Sequence, residues 1–429
     1  MSATAIAHVH SWEVLDSRGN PTVACRLRLA GGVEATASVP SGASTGSHEA
    51  VELRDGGERY GGKGVLAACA TVMGELAETV RGLDARDQRA VDLALRACDG
   101  SPDLARLGAN AVLAVSVAVA CAAAAAEGVP LYTRLGGGEA PLLPMPMVNV
   151  LSGGAHAAGA VDLQDFLVIP VGATSFGQAI EWAARVRRAT EAEATRRELP
   201  GAALAADEGG LGLALGGNEA ALELLLAGIE RAGLEPGAEA AIAIDLAASR
   251  LLEEGRYRLA ADGRTLHAEE LTSLLAHWCK RYPIVSLEDA LAEDDWDGWR
   301  AATETLGAIQ LVGDDLFATN AARLDRGVES GIANAVLVKP NQAGTVSDAE
   351  AVLRQARAAG YATIVSARSG ETEDSWLADL AVGWRAGQIK VGSTTRSERT
   401  AKWNRLLRIE SEHAGRVDFA GWSASRPAA

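Results

Sequence analysis

Residues 284–340 read IVSLEDALAEDDWDGWRAATETLGAIQLVGDDLFATNAARLDRGVESGIANAVLVKP. Three short apolar runs lie in this stretch, and each stops at a charged residue. Ile284-Val-Ser-Leu ends at Glu288, Ile309-Gln-Leu-Val-Gly at Asp314, and Ala335-Val-Leu-Val at Lys339. Amphipathic helical stretches separate them, and this alternation argues for β/α units with a parallel sheet. The grammar continues in both directions. Upstream, Ala241-Ile-Ala-Ile ends at Asp245; downstream, Ala362-Thr-Ile-Val-Ser leads to Arg368 and Gln388-Ile ends at Lys390. Ala268 to Lys280 and Asp348 to Ala359 read as helices between strands. So many units in one domain favour a closed β/α barrel over an open sheet. In a barrel the C-terminal strand ends open onto one face, where active sites are built. Polar residues often follow strands, so one such ending carries no message. Six in register, Asp245, Glu288, Asp314, Lys339, Arg368 and Lys390, predict a site.

The first third has a different texture. Val23 to Leu29 and Val33 to Val39 read as strands joined by Ala30-Gly31-Gly32, and Gly64 to Cys98 and Leu107 to Glu127 read as long helices. The run Gly136-Gly137-Gly138-Glu139-Ala140-Pro141, with Pro144 and Pro146 behind it, marks a domain boundary. The expected architecture is an α+β domain over residues 1–137 and an α/β barrel over 138–429.

The chain of 429 residues carries a net charge of -16. That field repels phosphate backbones and acidic membrane surfaces, which argues against nucleic-acid or membrane partners. Cys25, Cys69, Cys98, Cys121 and Cys279 are odd in number, widely spaced and without a CxxC, which suits free thiols in a reducing cytoplasm. No basic region leads into an apolar stretch between Met1 and Val14, as a signal peptide would require. The apolar run Ala111 to Ala126 is shorter than the roughly 20 residues of a membrane span and reads as a buried helix.

Three converging carboxylates, Asp245, Glu288 and Asp314, would raise one another's pKa unless a cation joined them. Oxygen-only ligation points to Mg²⁺. Such an ion and a second lysine would lower the pKa of Lys339 and make a neutral amine available as a base. Arg368-Ser369 offers a guanidinium suited to phosphate. These parts suit removal of an α-proton from a metal-bound carboxylate, with the metal charge stabilising the enediolate.

Long ordered segments then carry a family resemblance. Leu15-Asp-Ser-Arg-Gly-Asn-Pro-Thr-Val23, Pro40-Ser-Gly-Ala-Ser-Thr-Gly46 and Ala206-Asp-Glu-Gly-Gly210 are joined by Ser286-Leu-Glu-Asp289, Gly313-Asp-Asp-Leu316 and Lys339-Pro-Asn-Gln342. Arg368-Ser-Gly-Glu-Thr-Glu-Asp374 and Arg396-Ser-Glu-Arg399 complete the set. The chain resembles enolases over nearly its entire length. The resemblance implies a small α+β domain capping an eight-stranded barrel whose first units are irregular. It implies a first Mg²⁺ on Asp245, Glu288 and Asp314, and a second, arriving with substrate, that Ser44 joins. Lys339 would be the base and Glu208 the acid that protonates the departing hydroxyl. Lys390 would bind the substrate carboxylate, Arg368 and Ser369 the phosphoryl group, and His156 and Gln164 would line the pocket with Asp165 beside them. The assembly would be a homodimer or larger ring.

Several positions depart from the family pattern near the chemistry. The usual His before the Arg-Ser pair is Ala367, and the Glu after the pocket Gln is Asp165. Ser152, Ala158 and Gly159 replace polar residues in the loop around His156, the Ile after Asn-Gln is Ala343, and a Glu after the Ala-Ala-Ser run is Arg250. The metal, base and phosphoryl positions are intact, whereas the missing His and the shortened carboxylate belong, by the resemblance to enolases, to the group around Glu208 and the leaving hydroxyl. Altered pocket contacts signal altered specificity. The expected substrate is a small phosphorylated or phosphonylated carboxylate: 2-phosphoglycerate or a bulkier relative, as in the enolase-like synthesis of carboxyphosphonoenolpyruvate during phosphinothricin-type antibiotic assembly. The alternatives are an ordinary glycolytic enolase and an enolase relative kept for binding alone.

Simpler readings bound the rest. His8, His10, His48, His267, His277 and His413 have no metal-ligand spacing. Asp289 and Asp315 follow proposed ligands and would point to the other face of a strand, in supporting or packing roles. Gly209-Gly210-Leu211-Gly212 lacks the Lys-Ser/Thr of a P-loop.

Overall fold

The computed structural model describes residues 2–42, 46–201, 204–413 and 417–425. An antiparallel meander opens the chain: β1 (Ile6–Leu15), β2 (Pro21–Leu29) and β3 (Glu34–Ser38), in that order. The strand β1 escaped the sequence reading, because His8, His10, Ser11 and Glu13 interrupt its apolar residues; among the described residues it pairs in the sheet with β2 alone. The apolar α2 (Ala109–Glu127) packs against the meander, and α1 (Gln88–Asp99) packs on α2. By length and hydropathy α2 could cross a membrane, yet 83% of it is buried inside the protein, against β2 and β3.

The single helix expected over Gly64 to Cys98 is broken. Leu66–Thr71, one wide turn at Val72–Leu76 and Ala77–Val80 form one piece, and α1 the other. Gly74 takes a non-helical conformation within the wide turn, and the chain leaves the helix at Arg81. Asp87 then starts α1 afresh by accepting the N–H of Ala90 at 3.0 Å, so a side-chain cap punctuates what periodicity alone runs together.

Eight strands close the barrel: β4 (Met145–Ser152), β5 (Asp165–Ile169), β6 (Ala241–Asp245), β7 (Ile284–Glu288), β8 (Gln310–Gly313), β9 (Ala335–Val338), β10 (Ala362–Ser366) and β11 (Gln388–Gly392), with β11 pairing back to β4. All are parallel except β5, which runs antiparallel to β4 and β6. This is the irregular start that the resemblance implied. Most barrel strands are buried along their whole length, which explains their continuous apolar runs. Met145, Leu167, Val312, Leu337 and Ile364 fill the barrel interior.

The α+β domain is fastened over the strand ends. Ser41 and Gly370 exchange backbone hydrogen bonds at 2.9 and 3.0 Å, and Arg18 pairs with Asp207 at 2.7 Å. On the flank, Ser116 Oγ accepts the N–H of Val346 at 3.0 Å and Asp92 that of Ser347 at 2.9 Å, so one domain caps a barrel helix (Val346–Ala358) of the other.

Candidate active site

Strand ends deliver most of the predicted residues to one rim. Asp245 and Glu288 close β6 and β7 and lie side by side in register. Asp314 and Lys339 directly follow β8 and β9, and Arg368 lies two residues beyond β10. Lys390 differs from the sequence reading: it sits mid-strand in β11, opposite Ser366, and reaches the rim by its side chain. Asp165 arrives by another route. It opens the antiparallel β5, paired with Asp245 and Ser152. An antiparallel strand begins where its neighbours end, so its first residue faces the site.

Acids and amines interlock there. Lys390 Nζ donates to Asp245 Oδ2 and Glu288 Oε2, both at 2.7 Å, and Lys339 Nζ donates to Asp314 Oδ2. Gln164 Nε2 reaches Asp245 Oδ2 at 3.2 Å and Gln342 Nε2 reaches Asp314 Oδ1 at 3.0 Å. Asp289 accepts the N–H groups of Asp314 and Asp315 at 3.0 and 2.8 Å, which spends its oxygens on holding the turn that carries Asp314. Burial pushes Asp245 up, but Lys390 outweighs it and holds it below the usual carboxylate range. Burial and then the Asp245 charge hold Glu288 well above it. Burial works against charge on both lysines, yet Asp245 and Glu288 keep Lys390 well above its ordinary value, and Asp314 raises Lys339. The expected lowering of Lys339 needs Mg²⁺ as well as a second lysine; among the protein's own groups the adjacent Asp314 carboxylate dominates.

A second constellation surrounds Glu208. His156 Nδ1 lies 2.8 Å from Asp165 Oδ2, and its Nε2 lies 3.8 Å from Glu208 Oε1. Asp165 is fixed by Asn149 Nδ2 and by Ser152 Oγ at 2.9 Å. Burial disfavours charge on His156, but Asp165 and then Glu208 outweigh it and lift the imidazole to about 9. The Glu208 turn sits against β11 at Gly392, whose φ is 114° and where a Cβ would meet the Glu208 carbonyl oxygen at 2.9 Å; only glycine allows that approach.

Arg368 is held from both ends. Buried Arg399 donates to the carbonyls of Arg368 at 2.6 Å and Val391 at 3.1 Å, and also to that of Ser369, tying the Arg368-Ser369 turn to β11. The guanidinium donates to Glu49 Oε2 at 2.7 Å and Asn341 Oδ1 at 3.2 Å. One pocket is lined by His156, Gln164, Glu208, Asp245, Lys339, Arg368, Ser369 and Lys390, with Ala367 also in its wall.

A family model described as the enolase C-terminal TIM barrel domain matches residues 140–428, and one described as the enolase N-terminal domain matches residues 6–135. The chain belongs to the enolase family. Family and acidic groups together make it an enolase-type, Mg²⁺-dependent lyase.

The donor chemistry of the expected ligands fits the ion. Asp245, Glu288 and Asp314 offer only oxygens, and Glu288 Oε1 is buried without a hydrogen-bond partner among the described residues. Carboxylate oxygens of Glu288, Asp289 and Asp314 come within 4.8 Å of one another; this cluster holds Asp289 where the expected set has Asp245, whose Oδ2 is taken by Lys390 and Gln164. An ion held there would take up the negative charge that keeps both lysines protonated. Ser44 lies outside the described residues. Glu49, Asn149, Asn341 and Gln342 are site residues that strand-end reasoning passed over. Glu49 comes from the other domain and Asn149 lies within a strand, while Asn341 and Gln342 stand in the quoted Lys339-Pro-Asn-Gln342 segment, the one local signal available.

Proposed function

We propose that this enolase removes the α-proton of a 2-phosphoglycerate-like carboxylate and eliminates its β-hydroxyl to give an enolpyruvyl product. The observation that carries the reading is the meeting of Lys339, Lys390, Glu208 and Arg368 in one pocket wall. Lys339 takes the α-proton at Nζ. Lys390 holds the substrate carboxylate, and Arg368 with Ser369 holds the phosphoryl or phosphonyl end. Glu208 hands a proton to the departing hydroxyl, with His156 and Asp165 behind it; positioned proton transfer of this kind typically contributes about 10²–10⁴-fold. Asp245, Glu288 and Asp314 would hold Mg²⁺, which would supply positive charge against the anion that develops as the proton leaves.

The finer proposal is a substrate with a larger anionic end, as in the carboxyphosphonoenolpyruvate branch of phosphonate antibiotic biosynthesis. Its support is the wall at Ala367, where a buried methyl stands in place of the family imidazole, together with Asp165, drawn back onto Ser152 and His156. A paired assay of enolpyruvyl formation from 2-phosphoglycerate and from carboxyphosphono analogues tests it. Preferred turnover of the analogue is expected. Turnover of 2-phosphoglycerate at ordinary enolase rates returns the protein to the glycolytic reading, and turnover of neither, with no α-proton exchange, leaves the binding-only reading.

A further inference from the structure

The guanidinium that serves as anion clamp in this reading already holds an anion. Arg368 Nη1 donates to Glu49 Oε2 at 2.7 Å and Nη2 to Oε1 at 3.4 Å. The two side chains are only 3% and 5% exposed. Glu49 belongs to the α+β domain, 319 positions away in sequence. It is itself held, because Oε1 accepts the N–H of Gly46 at 2.9 Å and Gln342 Nε2 at 3.2 Å. Gly42 packs on the guanidinium so closely that a Cβ there would lie 1.8 Å from Nη2. A buried ion pair leaves an uncompensated charge when one member is withdrawn. An incoming substrate anion therefore meets the Glu49 carboxylate as a competitor for the Arg368 guanidinium, and a displaced carboxylate needs polar surroundings. Glu49 also borders a cleft of about 690 Å³ that Arg18, Asn20, Arg54 and Lys63 help to line, so such surroundings are adjacent.

We propose that Glu49 is a specificity-determining residue, an internal competitor on Arg368 that reserves the guanidinium for anions carrying more charge than a carboxylate. The proposal rests on the reading of Arg368 as the clamp for the phosphoryl or phosphonyl end. A free monocarboxylate offers Arg368 no more than Glu49 already gives, and Glu49 is tethered in place. A phosphoryl or phosphonyl dianion brings more charge and a third oxygen to the planar fork of donors. The apparent affinity for any anion is reduced by the fraction of molecules in which Arg368 is free of Glu49.

Thermal unfolding of the full chain with Mg²⁺, titrated with inorganic phosphate and separately with acetate, tests this. Phosphate is expected to stabilise the native protein and acetate to leave it unchanged. In Glu49→Gln the phosphate midpoint should fall by about tenfold or more, since the competing fraction is removed, and acetate should begin to stabilise. Glu49→Asp, which keeps the charge and shortens its reach, should fall between, and it carries the test if the glutamine variant does not fold. Equal phosphate midpoints in the native protein and the Glu49 variants overturn the proposal, as does acetate stabilising the native protein as well as phosphate does. Arg368→Met separates the two readings. Loss of the phosphate response there, with unchanged Glu49 variants, removes the competitor role alone. A phosphate response that survives Arg368→Met removes the clamp itself.

Discussion

Asp245, Glu288, Asp314, Lys339 and Lys390 come from parallel strands or the residue just after them, whereas Glu208, His156 and Asp165 come from a turn, a short 3-10 turn and the start of the antiparallel β5. The strand-borne group is positioned by backbone register, and its charges neutralise one another directly. The other group is positioned by side chains: Asn149 and Ser152 hold Asp165, Asp165 holds His156, and His156 faces Glu208. Four of the departures from the family pattern, Ser152, Ala158, Gly159 and Asp165, fall in this second group, while Ala367, Ala343 and Arg250 lie in the segments that follow parallel strands. A register shift would disturb a whole strand and its neighbours, but a side-chain lattice can be re-cut one residue at a time. Both kinds of position vary here, but within the side-chain lattice the variation reaches a residue, Asp165, that touches His156 directly.

The largest expected effects separate the two groups by step. Lys339→Ala should lower α-proton exchange with solvent deuterium, followed by NMR, by about 10³-fold, within the range for a positioned base. Glu208→Gln should block elimination yet leave exchange detectable. Normal exchange in both variants would mean that neither group has the role given to it. Next comes pH. The folded His156 value of about 9 exceeds its ordinary 6.5. The charge on His156, which Asp165 and then Glu208 favour, should therefore stabilise the fold fully near and just below about 6.5, and this contribution should vanish as pH rises through about 9; burial raises the Asp165 carboxyl, so its half of the pair weakens toward acid pH. Denaturant unfolding of the native protein and Asp165→Asn across that window should show the difference shrinking; a constant difference would break the side-chain account of this half.

The strand-borne half is sharpened by metal. Mg²⁺ at a hundredfold excess over its Kd should add about 2.7 kcal/mol of stability by mass action. The thermal shift should be absent in Asp245→Asn and present in Asp165→Asn; a shift lost in both would mean that the two halves are not independent. The smallest effect lies outside the pocket. Ser116→Ala removes a cap from the barrel helix Val346–Ala358 and should cost about 1 kcal/mol in denaturant unfolding, with elimination rates unchanged.

Much of the site was legible because six of its residues end or closely follow apolar runs, a local pattern that needs no partner to be seen. Asp165 and Glu208 were reached only through the family motifs, since neither ends an apolar run. Glu49 was missed altogether: its meaning lies in a pairing across two domains. The broken helix between Gly64 and Cys98 failed for a related reason. Helical periodicity continues through Gly74 and Gly82, while the new start depends on the Asp87 cap.

The sequence by itself determined the parallel β/α repeat, the oxygen-rich ligand set and the family, because strand length, polar stops and motif order are properties of consecutive residues. Only the tertiary structure decided that β5 runs backwards, that Lys390 bridges two carboxylates from mid-strand, and that Arg368 is held by a carboxylate from the other domain. Strand direction, register and ion pairing join residues far apart in the chain. Their free energy exists only once the intervening chain has folded, so no local pattern records it.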